Sequence, residues 1–575
     1  MTQKNWKIDD PALHATLRES FGIDGFRSRQ AEAVQSVLAG RDVLLTMPTG
    51  AGKSLVYQLP AVLLDGLTLV VSPLIALMKD QVDGLRARGL RATFINSSLS
   101  SRERARRLRD AASGSHDLLF ITPERFRSPA FREHIHELKV TRLAIDEAHC
   151  ISHWGHDFRP DYSRLGEYRA LLGDPPTIAL TATATPRVAS DICEHLRLSD
   201  PLVLRTGIER ENLYMGVTPV FEAEEKIGIL ADRIRRMDGP GIVYSALIKD
   251  LEALHGELAR QGVDSLVYHG KLSFDERRAM QERFMASERD VVLATNAFGM
   301  GVDKANIRFV IHAQIPRTLE SWMQEVGRAG RDGKPAWCEL VYFEEDVAIQ
   351  QNFVDWANPS LEYLVGVYQT LVGWGERIQA RDLDDLRDEL LVKNRSDNRV
   401  SICLKWFEVL GITSGSFEAH NLAVAQDLDP GGLPGFVGSG DKRRSDLEGL
   451  LRMVRFATEG LVCRRVTLAE HFETETPDSA CGACDVCNPP EEWLSEHFKT
   501  PRPIGAPLQA GGPGPDQGTS SDPDVIQRGD WVRVDGRHVG QVVRVDGSGS
   551  RARLVVESAT DLRRRTVKLE RAQKL

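Results

Sequence analysis

Met47-Pro48-Thr49-Gly50-Ala51-Gly52-Lys53-Ser54 follows the aliphatic run Asp42–Thr46 and leads into a helical pattern. A glycine-rich turn in that position lets backbone N–H groups approach a phosphate at a helix N-terminus. Thr49, Gly50 and Gly52 therefore read as a phosphate cradle, Lys53 as the charge that reaches the terminal phosphates, and the Ser54 hydroxyl as a ligand for Mg2+. The loop departs from G-x-x-x-x-G-K-[ST] at its first position, Met47. Outward from it, the short apolar runs Asp42–Thr46, Thr68–Ser72, Asp117–Ile121, Arg142–Asp146 and Thr177–Thr181 alternate with helical stretches, which predicts a parallel sheet covered by helices. A second series, Gly241–Tyr244, Ser265–Tyr268, Asp290–Thr295, Arg308–His312 and Glu339–Tyr342, predicts a second α/β lobe of similar build.

A chain of 575 residues exceeds one hydrophobic core, and ordinary domain sizes suggest about three to five units. With 42% hydrophobic and 27% charged residues, the composition is that of a globular protein and argues against disorder. The N-terminal residues lack a basic-then-apolar signal, and the most apolar stretch, Leu59 to Met78, is broken by Asp65 and Pro73, so no membrane association and a cytoplasmic location are expected. The net charge of −9 does not announce a nucleic-acid binder, and any such contact has to be local.

Asp146-Glu147-Ala148-His149 ends one predicted strand, where carboxylates face the ligand crevice of an open α/β sheet. Asp146 is expected to help hold Mg2+ and Glu147 to orient the water that attacks a terminal phosphate, with ATP as the nucleotide. In the second lobe, Gln324-Glu325-Val326-Gly327-Arg328-Ala329-Gly330-Arg331-Asp332-Gly333 places Arg328 and Arg331 three residues apart, on one side if helical. A permanently charged, bidentate guanidinium suits a phosphate in its transition state, and supplied across a cleft it makes hydrolysis depend on lobe closure.

At these residues the sequence resembles superfamily 2 helicases, and in further detail the RecQ family. The Asp-Glu-Ala-His box runs into Cys150-Ile151-Ser152-His153-Trp154-Gly155-His156-Asp157-Phe158-Arg159-Pro160, which is similar to that family's aromatic-rich loop. Trp154 and Phe158 are expected to stack on unpaired bases, with His156 and Arg159 as polar contacts. Arg27 and Gln30 lie in a segment resembling the family's adenine-reading one, Thr181-Ala182-Thr183-Ala184 in its coupling motif, and Asp303 in a stretch that touches DNA and nucleotide. The resemblance implies two RecA-like lobes and a 3′→5′ helicase acting on single-stranded and forked double-stranded DNA in repair or recombination, with Gln324 among the catalytic residues. Repair or single-strand-binding proteins are its expected partners. An ATP-driven translocase or remodeller without strand separation, or a DNA-binding scaffold, is the alternative.

Cys463, Cys481, Cys484 and Cys487 form a four-thiolate set with two C-x-x-C steps, suited to structural Zn2+, although an iron–sulfur cluster uses the same ligands. Cys150, Cys193, Cys338 and Cys403 read as small buried hydrophobes. Three candidate helices between Pro359 and Thr413 fit a helix-turn-helix or winged-helix unit, or else a plain helical connector, and the family usually places its zinc cysteines before a winged helix. Gly-rich Asp427–Asp441 and Pro501–Pro523 read as loose connectors. Valine-rich runs broken by Asp535-Gly536 and Asp546-Gly547 predict a small SH3-like β barrel with a local charge of +5, and no HRDC-like helical module is visible. The expected division is 1–205 and 206–348 for the lobes, 349–435 helical, 436–495 zinc-binding, 496–523 linker and 524–575 β module.

Overall fold

The computed structural model describes residues 6–498, apart from 28, 208–209, 300–301, 393, 395–396 and 477–479, and beyond them the backbone of 531–534, 538–546, 553–558, 564–568 and 572–574. It divides into two compact units, residues 1–505 and 506–575. The expected linker of Pro501–Pro523 lies outside the described residues.

Seven strands, β1 (Val43–Thr46), β2 (Leu67–Val71), β3 (Ala92–Ile95), β4 (Leu118–Ile121), β5 (Val140–Ile145), β6 (Thr177–Thr181) and β7 (Leu202–Arg205), form the first sheet in the order β3-β4-β2-β5-β6-β1-β7. Every pairing in it is parallel. β1, β2, β4 and β6 are buried along their whole length, which is why they read as continuous apolar runs and not as alternating ones. The second sheet holds β8 (Leu213–Val220), β9 (Gly241–Tyr244), β10 (Leu266–Tyr268), β11 (Val291–Ala294), β12 (Phe309–His312) and β13 (Ala336–Phe343), parallel throughout, in the order β10-β11-β9-β12-β13-β8. Both lobes are therefore as predicted, and β3, β7 and β8 are additional to the expected strands. Helix α1 (Leu55–Leu63) leaves the phosphate loop after β1, and α2 (Leu319–Val326) follows β12.

After the second lobe, α3 (Val347–Ala357) is followed by α4 (Leu361–Trp374), α5 (Leu383–Glu389) and α6 (Arg399–Leu410), and then by a short antiparallel pair, β14 (Thr413–Ser414) with β15 (Ala423–Val424). The three helices and the hairpin share a core of their own, with Leu364, Val367, Leu386, Val400, Phe407 and Leu422 all buried. Next comes α7 (Asp441–Thr458), which packs against α3, with Arg443 paired to Asp355 at 2.7 Å and Asn358 donating to Asp446 at 2.8 Å. The expected boundary at residue 349 thus cuts through α3, and the α4–β15 segment is inserted between two helices that pair with each other. Asp427–Asp441 is less loose than its glycines suggested, because Phe436 stacks on His153 at 4.5 Å.

Helix α8 (Arg464–Phe472) precedes the last three cysteines. Their loop caps the edge of the second sheet: Met215 of β8 donates to Ala483 O at 3.0 Å and accepts from the Asp485 N–H at 3.2 Å. An open strand edge is a site for unwanted pairing, and this loop covers it. Among the scattered cysteines, Cys150, Cys338 and Cys403 are buried as expected and Cys193 only half-buried.

The second unit is a five-stranded antiparallel sheet of β16 (Trp531–Val534), β17 (His538–Asp546), β18 (Arg553–Ser558), β19 (Arg564–Lys568) and β20 (Ala572–Lys574), ordered β19-β18-β17-β16-β20. Val534 pairs with His538 across the first expected hairpin. The turn residues Asp535-Gly536 and Gly547 lie outside the described residues.

Candidate active site

The phosphate loop leaves β1 with Gly50 at φ +81° and Gly52 at φ +87°, left-handed values that favour glycine. Gln30 holds the loop from behind: its Nε2 donates to Ala51 O and Gly52 O, both at 3.0 Å, while its Oε1 accepts from Arg27 N at 2.8 Å. Both ends of that amide are engaged inside the protein, so Gln30 ties the segment expected to read adenine to the phosphate cradle. Lys53 donates to Met47 O at 3.1 Å, and burial lowers its pKa against the opposing pull of Glu147 and Asp146. Ser54 stands immediately ahead of α1, and Thr49 faces the second lobe with its Cβ 3.7 Å from where a Cβ on Gly327 would lie.

Asp146 and Glu147 follow directly on β5, and Glu147 adopts φ +50°, a strained turn that sets its side chain beside the loop. Burial and the neighbouring Glu147 push the Asp146 carboxyl up to about 7, with Lys53 opposing. His149 Nδ1 lies 2.9 Å from Thr181 Oγ1 and 3.4 Å from Glu147 Oε2. The Thr181 hydroxyl spends its proton on Thr183 O at 3.0 Å, so His149 Nδ1–H is the donor to Thr181. Burial, with His156, Arg159 and Lys53 nearby, lowers the His149 pKa far below the ordinary histidine value and keeps the ring neutral.

From His149 the connection runs on to the second lobe. The His149 and His156 rings stack at 4.3 Å, and His156 Nε2 lies 3.2 Å from Gln324 Oε1 on α2. Arg328 and Arg331 sit in the turn after α2, which ends at Val326, and not on a helix as the spacing had allowed. Arg331 lies against the phosphate loop, where a Cβ on Gly50 would be 3.1 Å from its Cγ, and it pairs with Asp303. Arg328 donates to Gly299 O. At this junction Arg328 Nε, Arg331 Nε and Glu147 Oε2 are buried without a hydrogen-bond partner among the described residues. Such atoms mark a place built to receive a polar ligand. A cleft of about 890 Å³ opens here, bordered by Arg27, Thr49, Gly50, Arg210 and Arg331; sequence reasoning had not singled out Arg210, which carries no motif signature of its own.

In the aromatic-rich loop, Arg187 lies 3.4 Å over the Trp154 ring, and Phe158 stacks at 5.9 Å on Trp406 of α6. Arg159 binds Asp157 at 2.9 Å. The predicted base-stacking rings thus have protein neighbours, one of them contributed by the inserted segment.

The four cysteine sulfurs lie within 4.8 Å of one another, and Cys463 and Cys484 are 3.8 Å apart. A tetrahedron with Zn–S bonds of about 2.3 Å has edges of about 3.8 Å, so the donor set fits zinc. Arg464 braces the cluster through Asp485 at 2.9 Å.

Three family profiles match the chain: DEAD/DEAH box helicase over residues 27–192, Helicase conserved C-terminal domain over 225–333, and RecQ zinc-binding over 429–488. The probable ATP-dependent DNA helicase RecS of Bacillus subtilis is 41% identical over 72% of this chain and 83% of its own length. The ATP-dependent DNA helicase RecQ of the same organism is 45% identical over 59% of this chain and 57% of its own length. Among solved structures, the DUF1998 helicase MrfA bound to DNA and AMPPNP shares the fold at 20% identity, with a TM-score of 0.50 over 60% of this chain and 52% of that one. With a phosphate loop and an arginine turn bordering one cleft, a carboxylate box acting on Lys53 of that loop and a RecQ zinc-binding segment, the chain belongs to the RecQ family of ATP-dependent DNA helicases.

Proposed function

We propose that this chain hydrolyses ATP to move 3′→5′ along single-stranded DNA and to separate forked duplexes, in DNA repair or recombination. The observation that carries the reading is Arg331 of the second lobe lying against Gly50 of the phosphate loop, because hydrolysis then requires both lobes together. Thr49, Gly50, Gly52 and Lys53 bind the phosphates, with Arg27 and Gln30 framing the loop. Ser54 and Asp146 would hold Mg2+, which supplies charge neutralisation on the phosphate oxygens when bound. Glu147 orients the attacking water, and Arg328 and Arg331 stabilise the charge that develops on the transferred phosphoryl group.

Coupling to DNA runs through the contacts of His149, His156 and Gln324. A strand lying on Trp154, His156, Phe158 and Arg159 shifts the aromatic-rich loop, and the shift reaches Glu147 on one side and α2 on the other. Thr181 and Thr183 anchor the inner end of that path, and Asp303 sets the position of Arg331. The α4–β15 insertion, three helices and a two-stranded hairpin, acts as a winged-helix DNA-binding unit. Repair or single-strand-binding proteins are its expected protein partners, and association with the nucleoid follows if the chain is bacterial. Among the described residues no helix is long and apolar enough to cross a membrane.

ATPase measured with and without single-stranded DNA tests the reading. Arg331→Ala should lower the DNA-stimulated rate by about 10³-fold, the low end for an arginine finger. Turnover within threefold of wild type would remove the arginine from the chemistry.

A further inference from the structure

A cavity of about 330 Å³ lies where the aromatic-rich loop, the second lobe and the inserted segment meet, away from the ATP cleft. Three aromatic side chains border it: Phe158 of the loop, Trp406 of α6, and Phe436 of the segment ahead of α7. Phe158 and Trp406 stack at 5.9 Å, and Phe436 sets its edge against both, at 5.4 Å and 5.7 Å. Four cations complete the wall, Arg317 from the second lobe, Lys405 from α6, and Lys442 and Arg443 from α7. Carboxylates behind the wall hold the two lysines in place, Lys405 with Asp161 and Lys442 with Asp446, each at 2.9 Å. Arg317 is fixed by its bond to His156 O. The one carboxylate in the lining, Asp157, is taken by Arg159.

Aromatic faces and fixed cations around a space of this size match one chemistry, a planar base joined to a phosphate. We propose that this cavity is a composite site for one unpaired nucleotide of the translocating DNA strand, with Trp406 and Phe436 supplied by the region after the motor. The base lies against Trp406 and Phe436 and its phosphate meets Arg317 and Lys442. Because Phe158 and His156 share the wall, a base entering the cavity moves the loop that leads to Gln324 and Glu147. The inserted segment is tied to the first lobe at this point, through Lys405 to Asp161 at 2.9 Å and Arg164 to Val409 O at 3.1 Å. The cavity therefore reports on both lobes and the insertion together. This inference rests on the DNA-motor reading above.

Fluorescence anisotropy with a labelled dT16 strand, and with the same strand carrying abasic positions, tests the site on the full chain. Stacking worth about 1–3 kcal/mol per base translates to roughly 5- to 150-fold, so Trp406→Ala and Phe436→Ala should each weaken dT16 binding within that range. Neither should weaken the abasic strand further, and Trp406→Tyr should keep most of the wild-type affinity. Zinc content and thermal unfolding verify that the variants are folded. Equal dT16 affinity in wild type and both alanine variants overturns the site, as does equal weakening of the dT16 and abasic strands. The same chemistry could come from a free nucleotide: quenching of tryptophan fluorescence by millimolar dTMP but not by dT16, present in wild type and absent in Trp406→Tyr, would also overturn a strand site. Failure of the wild-type chain to bind dT16 at all would instead remove the DNA-motor reading on which the site depends.

Discussion

Substituting Gly52 by alanine tests how the phosphate loop is held. Gly52 has φ +87°, and a side chain in the left-handed region costs about 1–2 kcal/mol. The new Cβ would also lie 2.6 Å from Gln30 Nε2, far inside contact distance, so Gln30 has to leave its place. It then loses two hydrogen bonds, to Ala51 O and Gly52 O, worth about 1 kcal/mol each. Gly52→Ala should therefore weaken nucleotide binding by about 3–4 kcal/mol. In a Gln30→Ala background the bonds are already gone and the space is open, so only the backbone cost of about 1–2 kcal/mol remains. The difference is a coupling of about 2 kcal/mol, roughly 30-fold in affinity, between residues 22 positions apart. Titration with a fluorescent ATP analogue across wild type, both single variants and the double variant measures it. Effects that add within about 0.3 kcal/mol would show that Gln30 does not support the loop.

Two further perturbations address the coupling path and the zinc module. His156→Ala removes a stack on His149 and a bond to Gln324, together worth about 2 kcal/mol; DNA stimulation of the ATPase should fall about 30-fold with unstimulated turnover held within twofold, and equal losses with and without DNA would make the residue structural. Cys484→Ser should lower zinc from one ion per chain and reduce the yield of folded protein, because structural zinc contributes folding free energy; iron-type visible absorbance in the wild type would replace zinc by a cluster.

Much of the motor was legible because its chemistry is local in sequence. The phosphate loop, the Asp146-Glu147 box and the arginine turn each carry their residues within ten positions, and the buried strands announce themselves as apolar runs. What escaped was tertiary. β8 contains Gly216 and Pro219, which read as breakers, yet it is an edge strand of its sheet, where a missing N–H is tolerated. β3 and β7 are edge strands too, and β7 is only partly buried along its length, so it lacks a continuous apolar run. Pairing of α3 with α7 across the whole insertion has no local signal, so the boundary drawn at residue 349 missed it. The three-residue spacing put the arginines on one side only if they were helical, and α2 ends at Val326 with Gly327 as its cap, before they begin. Gln30 was read for its amide and not for what that amide already binds, and the stacking of Phe436 on His153 joins residues nearly three hundred positions apart.

Strand separation of a labelled fork bearing a 3′ single-stranded tail, with ATP and Mg2+, tests the central claim most directly. The wild-type chain should open that fork and leave a 5′-tailed control intact, while Glu147→Gln should bind the fork without opening it. Robust ATP turnover without strand separation would assign the motor to translocation or remodelling, and fork opening by Glu147→Gln at the wild-type rate would contradict the account of the site.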